Sequence, residues 1–380
     1  MSDLIADIET LVRCESPSDD HEAVARSAEA VAVVGRRLLG AEPERLVTDG
    51  CTHLRWRFGD GPPRVLLLGH HDTVWPLGSL RTHPFAVENG ILRGPGCFDM
   101  KAGVVMALHA AAALPDRTGV AILVTGDEEI GSPLSRTLIE DEARSCDAVF
   151  VLEASADGGA LKTRRKGVSR YWIEVDGRAA HAGLEPEKGV NAGIEVAHQI
   201  LAVAALADPG RGTTVVPTAL SAGTTTNTVP AAASVAVDAR VWDVAEQDRV
   251  DRAVRSLVPV LADARIRIAG GINRPPLEAA ASAELFALAD ELASGLGIGP
   301  LTRAAVGGAS DGNFTAGLGI PTLDGLGAVG GGAHADDEHV VVAELPRRTA
   351  LLAALTETVL ARGTSSAPTN VPGESGAGQR

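Results

Sequence analysis

Short apolar runs bounded by turn signals alternate with helical stretches along the first part of the chain. VLLLG at 65–69, AILVTG at 121–126 and AVFVLE at 148–153 are almost wholly apolar, as expected of strands buried on both faces. Residues 1–40 and MKAGVVMALHAAAAL at 100–114 have helical character. This alternation predicts a mostly parallel sheet covered by helices, an α/β architecture. Near residue 166 the texture changes. VSRYWIEVD alternates like an exposed strand, and a helix over KGVNAGIEVAHQILAVAAL follows. TTVVPTAL and ASVAVDAR come next as strands, then a helix, then the strand RIRIAG. The order β-α-β-β-α-β predicts a small ferredoxin-like α+β sheet with its helices on one face.

The expected organisation is a discontinuous catalytic domain, 1–165 and 276–362, interrupted by an inserted domain at 166–275. The segment 363–380, GTSSAPTNVPGESGAGQR, is rich in Gly, Pro and Ser and is expected to be a disordered tail. A net charge of −15 argues against nucleic acid and anionic membrane as partners, since both need clustered Lys and Arg. No apolar stretch has the length of a signal peptide or a membrane span, so a cytoplasmic location is expected. Cys14, Cys51, Cys97 and Cys146 form no CxxC pair and read as reduced thiols, with Cys97 a small residue filling a turn.

Acids and histidines stand just past the ends of the predicted buried strands, where open α/β sheets bind their ligands. His70-His71-Asp72 follows VLLLG, Asp127-Glu128-Glu129 follows AILVTG, and Glu153 ends AVFVLE. Asp99 closes the glycine turn GPGCFD ahead of a helix. Imidazole mixed with carboxylate suits borderline divalent metals, two of which can share a carboxylate. Alternation along an extended backbone puts His70 and Asp72 on one side and His71 on the other. Asp72 can then accept the second ring N–H of His70. The carboxylates of Glu128 and Glu129 diverge, which lets one bind metal while the other serves as general base. Downstream, His334 follows a glycine run that allows close approach to a site, whereas the strand-like EHVVV carries His339 away.

Several segments in order resemble the M20 di-zinc metallopeptidases of the aminoacylase-1 type, most closely the glutamate carboxypeptidase branch. They include GHHDTV (69–74), GPGCFDMKAG (94–103), TGDEEIGS (125–132), LEAS (152–155), GRAAHAGLEPEKGVNA (177–192), TNTVP (226–230), NRPPL (273–277), GGASDGNF (307–314) and GGAHADDE (331–338). The resemblance implies a zinc-peptidase-like catalytic domain with an inserted lid or dimerisation domain. It implies two Zn²⁺ per chain, Co²⁺ or Mn²⁺ being able to use the same donors. Asp99 would bridge them, with His70 and Glu153 on one ion and Glu129 and His334 on the other. Glu128 becomes the general base, Asp72 the support of His70, and the peptide bond after Asp99 is expected to be cis.

His181, in GRAAHAG, matches the family histidine that stabilises the oxyanion, often from the partner subunit of a homodimer. Arg274, Asn227 and Gly308 match positions that hold the substrate carboxylate, a task to which the planar fork of arginine is suited. Arg240, at a strand end, is either a second anchor or a salt-bridged structural residue. Ala102 replaces the second glycine of a common family pattern, away from any expected ligand. The implied substrate is a small molecule or short peptide with a free carboxylate. The leading expectation is a glutamate carboxypeptidase-like exopeptidase. An N-acyl-amino-acid deacylase or dipeptidase shares the same chemistry and differs only in its pocket. A non-enzymatic binding protein with a relic site would have lost a ligand or the base, and all of these residues are present.

Overall fold

A computed structural model describes residues 1–363; the expected tail, 363–380, lies outside the described residues except for Gly363, which ends the helix Leu345–Gly363. The main sheet has six strands in the order Glu44–Thr48, Cys51–Arg57, Val120–Thr125, Val65–His70, Ala148–Val151 and Thr322–Leu323. Pairing is antiparallel through the first three strands and parallel through the rest. Alternate residues of the central strands feed two different apolar clusters. Val65, Leu67, Ile122, Val124 and Phe150 enter one; Leu66, Leu68, Leu123, Val149 and Val151 enter the other. Burial on both faces explains why these strands read as unbroken apolar runs.

The hairpin Glu44–Arg57 was not expected from the sequence. Its first strand is largely exposed, and Arg55 and Arg57 of the second point at Glu142 instead of entering an apolar core. The predicted N-terminal helix is two helices, Ser2–Val12 and His21–Leu39. Asp20 caps the second by accepting the N–H of Ala23 at 2.9 Å. The break is functional in position, because it delivers Ser18 to Asp72 at 2.6 Å. A further four-stranded sheet, in the order Gly330–Gly331, His339–Val341, Ile91–Arg93 and Ala86–Glu88, joins the late glycine run to the glycine turn before Asp99.

The inserted segment forms an antiparallel sheet in the order Thr214–Ala222, Ala232–Val241, Gly167–Asp176, Arg265–Arg274. The helices Ala192–Ala204 and Val244–Arg255 pack on it around a separate apolar cluster that runs from Tyr171 to Ile268. The chain leaves and re-enters the larger unit side by side. Arg165 N–H donates to Leu277 O at 3.0 Å and Leu277 N–H to Arg165 O at 3.1 Å. All four cysteines are free thiols, and among the described residues no helix is long and apolar enough to cross a membrane.

The helix Ala102–Ala113 starts directly after Asp99 and lies on the end of the strand that leads to Glu153. Gly103 makes that contact possible: a Cβ there would stand 2.0 Å from Leu152 O. Gly103→Ala is expected to force the helix off the strand and cost about 3 kcal/mol. Thermal unfolding checks this, and an unchanged Tm would mean that the contact yields freely.

Candidate metal centre

Two groups of donors share one carboxylate. His70, Asp99 and Glu153 form the first and Asp99, Glu129 and His334 the second, the ligand atoms in each lying within 4.8 Å of one another. His70 Nε2 is 3.4 Å from Asp99 Oδ1 and 3.7 Å from Glu153 Oε1. His334 Nε2 is 3.3 Å from Asp99 Oδ2 and 3.2 Å from Glu129 Oε2. The parallel sheet supplies three of these residues at or just beyond the carboxyl ends of its strands. The Asp99–Met100 peptide is cis, and His334 adopts a left-handed φ of 63°. That conformation is uncommon for a residue with a side chain and is one of the places where strain accompanies function.

The cluster fits divalent cations on the chemistry of its atoms. Buried His70 Nε2, Asp99 Oδ1 and Glu129 Oε1 have no hydrogen-bond partner. Such orphaned atoms are costly unless something binds them. Positive charge is in demand. Hydrogen bonds to Asp99 first, and then to Glu129, raise His334 to about 10. Burial pushes Glu129 up to about 7 despite His334, and burial of Glu153 is overcome by Arg165, His70 and Lys162, which hold it at about 2. Burial likewise drives Glu128 well above the usual carboxylate range, with the charge of Arg274 only partly offsetting it.

Supporting groups fix these atoms in place. His70 Nδ1 donates to the main-chain carbonyl of Asp72 at 3.0 Å, while the nearer carboxylate oxygen of Asp72 is 3.4 Å away. The expected carboxylate acceptor is thus chiefly a carbonyl, which leaves Nε2 as the free ligand atom. The Asp72 carboxylate instead receives Ser18 Oγ at 2.6 Å and the N–H groups of Glu128 at 3.2 Å and Glu129 at 3.1 Å. Burial acts to raise Asp72, but the proximity of His70 and the hydrogen bond from Ser18 outweigh it and keep it low. His71 is turned away, its Nε2 donating to Thr52 O at 3.1 Å, and His339 bonds Asp337 O at 2.8 Å outside both groups.

Arg274 departs from the expected free fork. Its Nη2 donates to Glu128 Oε1 at 2.9 Å, Ser132 Oγ at 2.7 Å and Asp311 Oδ1 at 2.8 Å, and the side chain is buried. Through Nη2 the guanidinium positions the base, while its buried Nε has no hydrogen-bond partner. His181 and Asn227 lie together on adjoining loops of the inserted sheet, with Ala182 N–H donating to Asn227 O at 2.9 Å. Both are exposed and touch none of the metal donors. His181 Nδ1 accepts two main-chain N–H groups, of Gly183 and Leu184, each at 3.1 Å, so the ring proton resides on Nε2. Gly308 is exposed and offers its carbonyl to Arg165 Nη1 at 3.2 Å. Arg240 pairs with Asp238 at 2.9 Å on its own strand, the structural alternative.

A third donor group, Cys51, His53 and Asp127, is buried behind the centre. Burial, and then Asp127, raises the Cys51 thiol to about 12, and His53 Nδ1 accepts the N–H of Gly126 at 3.1 Å. This group lies beside the Glu128 loop, and its His53 Nε2 and Asp127 Oδ1 have no hydrogen-bond partner.

The site is thus a set of metal donors that share one carboxylate, with a free carboxylate beside it. The chain matches the model of Peptidase family M20/M25/M40 over residues 66–358. It belongs to that family and is a metal-dependent peptidase or amidohydrolase. Carboxypeptidase G2 of Pseudomonas sp. is 32% identical over 314 residues, covering 78% of this chain and 74% of the relative. A succinyl-diaminopimelate desuccinylase of Methylobacterium radiotolerans is 30% identical over 372 residues, covering 90% and 93%. Among solved structures, the M20 metallo-carboxypeptidase Sso-CP2 from Sulfolobus solfataricus has a TM-score of 0.75 at 18% identity, covering 94% of this chain and 99% of the other.

Sequence reading missed Glu338, Arg165, Lys162, Asp311 and Asp324. Glu338 and Asp311 lie inside segments already singled out, but their partners are distant in sequence. Glu338 accepts Gly96 N–H at 2.8 Å and Trp75 Nε1 at 2.7 Å on one oxygen, and Phe98 N–H at 2.9 Å and Asp99 N–H at 3.0 Å on the other. It therefore ties the loop of His334 to the turn of Asp99. Glu338→Gln places an amide NH₂ against these donors and is expected to weaken metal binding about 10- to 100-fold. Competition with a chelator measures this, and wild-type affinity would remove Glu338 from the support of the centre.

Proposed function

We propose that the chain hydrolyses an amide bond next to a free carboxylate, as a glutamate carboxypeptidase-like exopeptidase. The observation that carries the reading is Glu128, a buried carboxylate that stands beside both donor groups without belonging to either. When bound, divalent metal, with zinc suited to these donors, acidifies water and polarises the scissile carbonyl. Glu128 takes the proton of the attacking water and returns it to the leaving nitrogen. Arg274 holds Glu128 Oε1 in a fixed orientation for that transfer. Asn227 and the main chain at Gly308 are the proposed carboxylate contacts. The similarity to desuccinylases favours a second reading, deacylation of an N-acyl amino acid or cleavage of a dipeptide by the same residues.

Glu128→Ala is expected to keep metal content while lowering kcat by at least about 10³-fold on whichever substrate is cleaved. The substrate panel comprises folate-like glutamate conjugates, N-acyl amino acids and dipeptides, each as free acid and amide. Metal loss equal to the activity loss would mean that Glu128 and Glu129 have exchanged roles. Equal rates on acids and amides would sink carboxylate recognition.

We further propose that the chain works as a homodimer in which His181 of one copy donates Nε2–H to the oxyanion at the other. The exposed Ile194 and Leu201 of one helix, with Val216 and Leu220 of the neighbouring edge strand, offer an apolar surface for pairing. Mixing Glu128→Ala with His181→Ala chains is expected to restore roughly a quarter of wild-type activity, since half the exchanged dimers are mixed and each has one intact site. No recovery after verified exchange would place His181 in its own chain's site or outside catalysis.

A further inference from the structure

Where the inserted sheet meets the loop after Glu129, a cavity of about 460 Å³ opens, and no metal donor lines it. Three arginines do, Arg136 from the larger unit and Arg170 and Arg255 from the inserted one, with no acidic side chain among the lining residues. Arg170 is the least committed of them. Its Nη1 donates to Ile130 O at 3.2 Å, and it has no carboxylate partner among the described residues. Arg136 and Arg255 each pair with one acid outside the cavity, Glu140 at 2.7 Å and Asp251 at 2.9 Å. Trp172 supplies an apolar wall, 48% exposed and with no ring or guanidinium stacked on it among the described residues. The bare strand at Gly270 and Gly271 makes this surface possible. A Cβ at 270 would stand 3.0 Å from the indole, and one at 271 would stand 2.5 Å from Arg255 Nη2.

We propose that this cavity is an effector site for a small organic anion, a planar ring bearing an oxyanion, with the ring on Trp172 and the oxyanion held by Arg170, Arg136 and Arg255. Carboxylate and phosphate both accept from the guanidinium fork, and binding experiments tell them apart. Guanidinium groups converge here from both units although the chain carries a net charge of −15, so the local field opposes the general one. A half-exposed indole beside donors with no acid between them offers one apolar and one polar surface to the same occupant. The volume lies in the range of small-molecule sites. Ile130 and Gly131 directly follow Glu128 and Glu129, and Ile272 and Asn273 directly precede Arg274. An occupant therefore touches both segments that set the base while contacting none of the metal donors, which is the position of an effector and not of a substrate.

Binding tests this without turnover. Metal-loaded full-length protein is titrated calorimetrically with phenyl phosphate, benzoate, phenol and inorganic phosphate. Phenyl phosphate or benzoate is expected to bind about 10- to 100-fold more tightly than phenol, the worth of a charged hydrogen bond, and the tighter of the two names the head group. Inorganic phosphate is expected to bind about 2- to 10-fold more weakly than phenyl phosphate, the worth of an aromatic contact. Arg170→Gln is expected to lower affinity about 10-fold, and Trp172→Leu and Arg255→Gln about threefold each, with metal content unchanged. Arg170→Lys keeps the charge without the fork and is expected to recover part of the loss.

Hydrogen exchange then locates the occupant. With the tighter ligand bound, slower exchange is expected over 130–136 and 268–274. Protection confined to the segments of Asp99 and His334 means that the anion sits on the metal ions, and it overturns the proposal. Equal binding of phenol and the two ring anions does the same, as does inorganic phosphate binding as tightly as phenyl phosphate. If Arg170→Gln loses metal, Arg170 serves the loop of Glu129, and the decision passes to Arg255→Gln, whose side-chain hydrogen bonds are to Asp251 and Gly270 alone. Unchanged affinity in that variant sinks the site.

Discussion

The gathering of Asp99, Glu129 and Glu153 in one buried place costs free energy, because each loses hydration and each repels the others. Much of the architecture can be understood as the means of imposing that gathering. Strand ends fix Glu153 and His70, and main-chain N–H groups lock onto Asp72 and Glu338. The guanidinium groups of Arg165 and Arg274 supply opposing charge from within. What remains uncompensated is a set of acceptor atoms aimed at common points. A site prepared in this way attracts divalent cations because the protein has already borne the electrostatic cost of assembling the ligands.

The two supporting carboxylates work alike. Asp72 spans from His70 to the Glu128–Glu129 turn, and Glu338 spans from the His334 loop to the Asp99 turn. Each holds two donor-bearing segments in register by accepting main-chain N–H groups, which tolerates little displacement. Small-residue positions contribute by permitting approach. Gly103 lets a helix meet Leu152, and Gly330 would place a Cβ 1.9 Å from His339 O, so the late hairpin next to His334 closes only without a side chain.

Much of this was legible in the sequence, and the limits have physical causes. The central strands were readable because burial on both faces makes them continuously apolar, and the βαββαβ order of the insertion followed from its alternation. His70, Glu129 and Glu153 were readable because they sit beside those strands, and Asp99 and His334 because glycine-rich turns lead to them. The Glu44–Arg57 hairpin was hidden, since it satisfies Arg55 and Arg57 through Glu142 and leaves one strand exposed. Glu338 and Asp311 were hidden because a carboxylate that accepts remote main-chain N–H groups looks like a solvated acid in one dimension. The contacts of Arg274 with Glu128 and Asp311 were hidden because sequence carries no sign of the anions that fold against it.

The inserted unit is joined to the rest by a two-stranded ribbon at Arg165 and Leu277, and the side chains at its two crossings have a consequence of their own. Arg165 grips Glu153 on the outgoing strand, and Arg274, three residues before the return pairing, grips Glu128. The joint between the two units and the centre are thus built from shared residues, since the strands that cross there also carry the cations that hold Glu153 and Glu128.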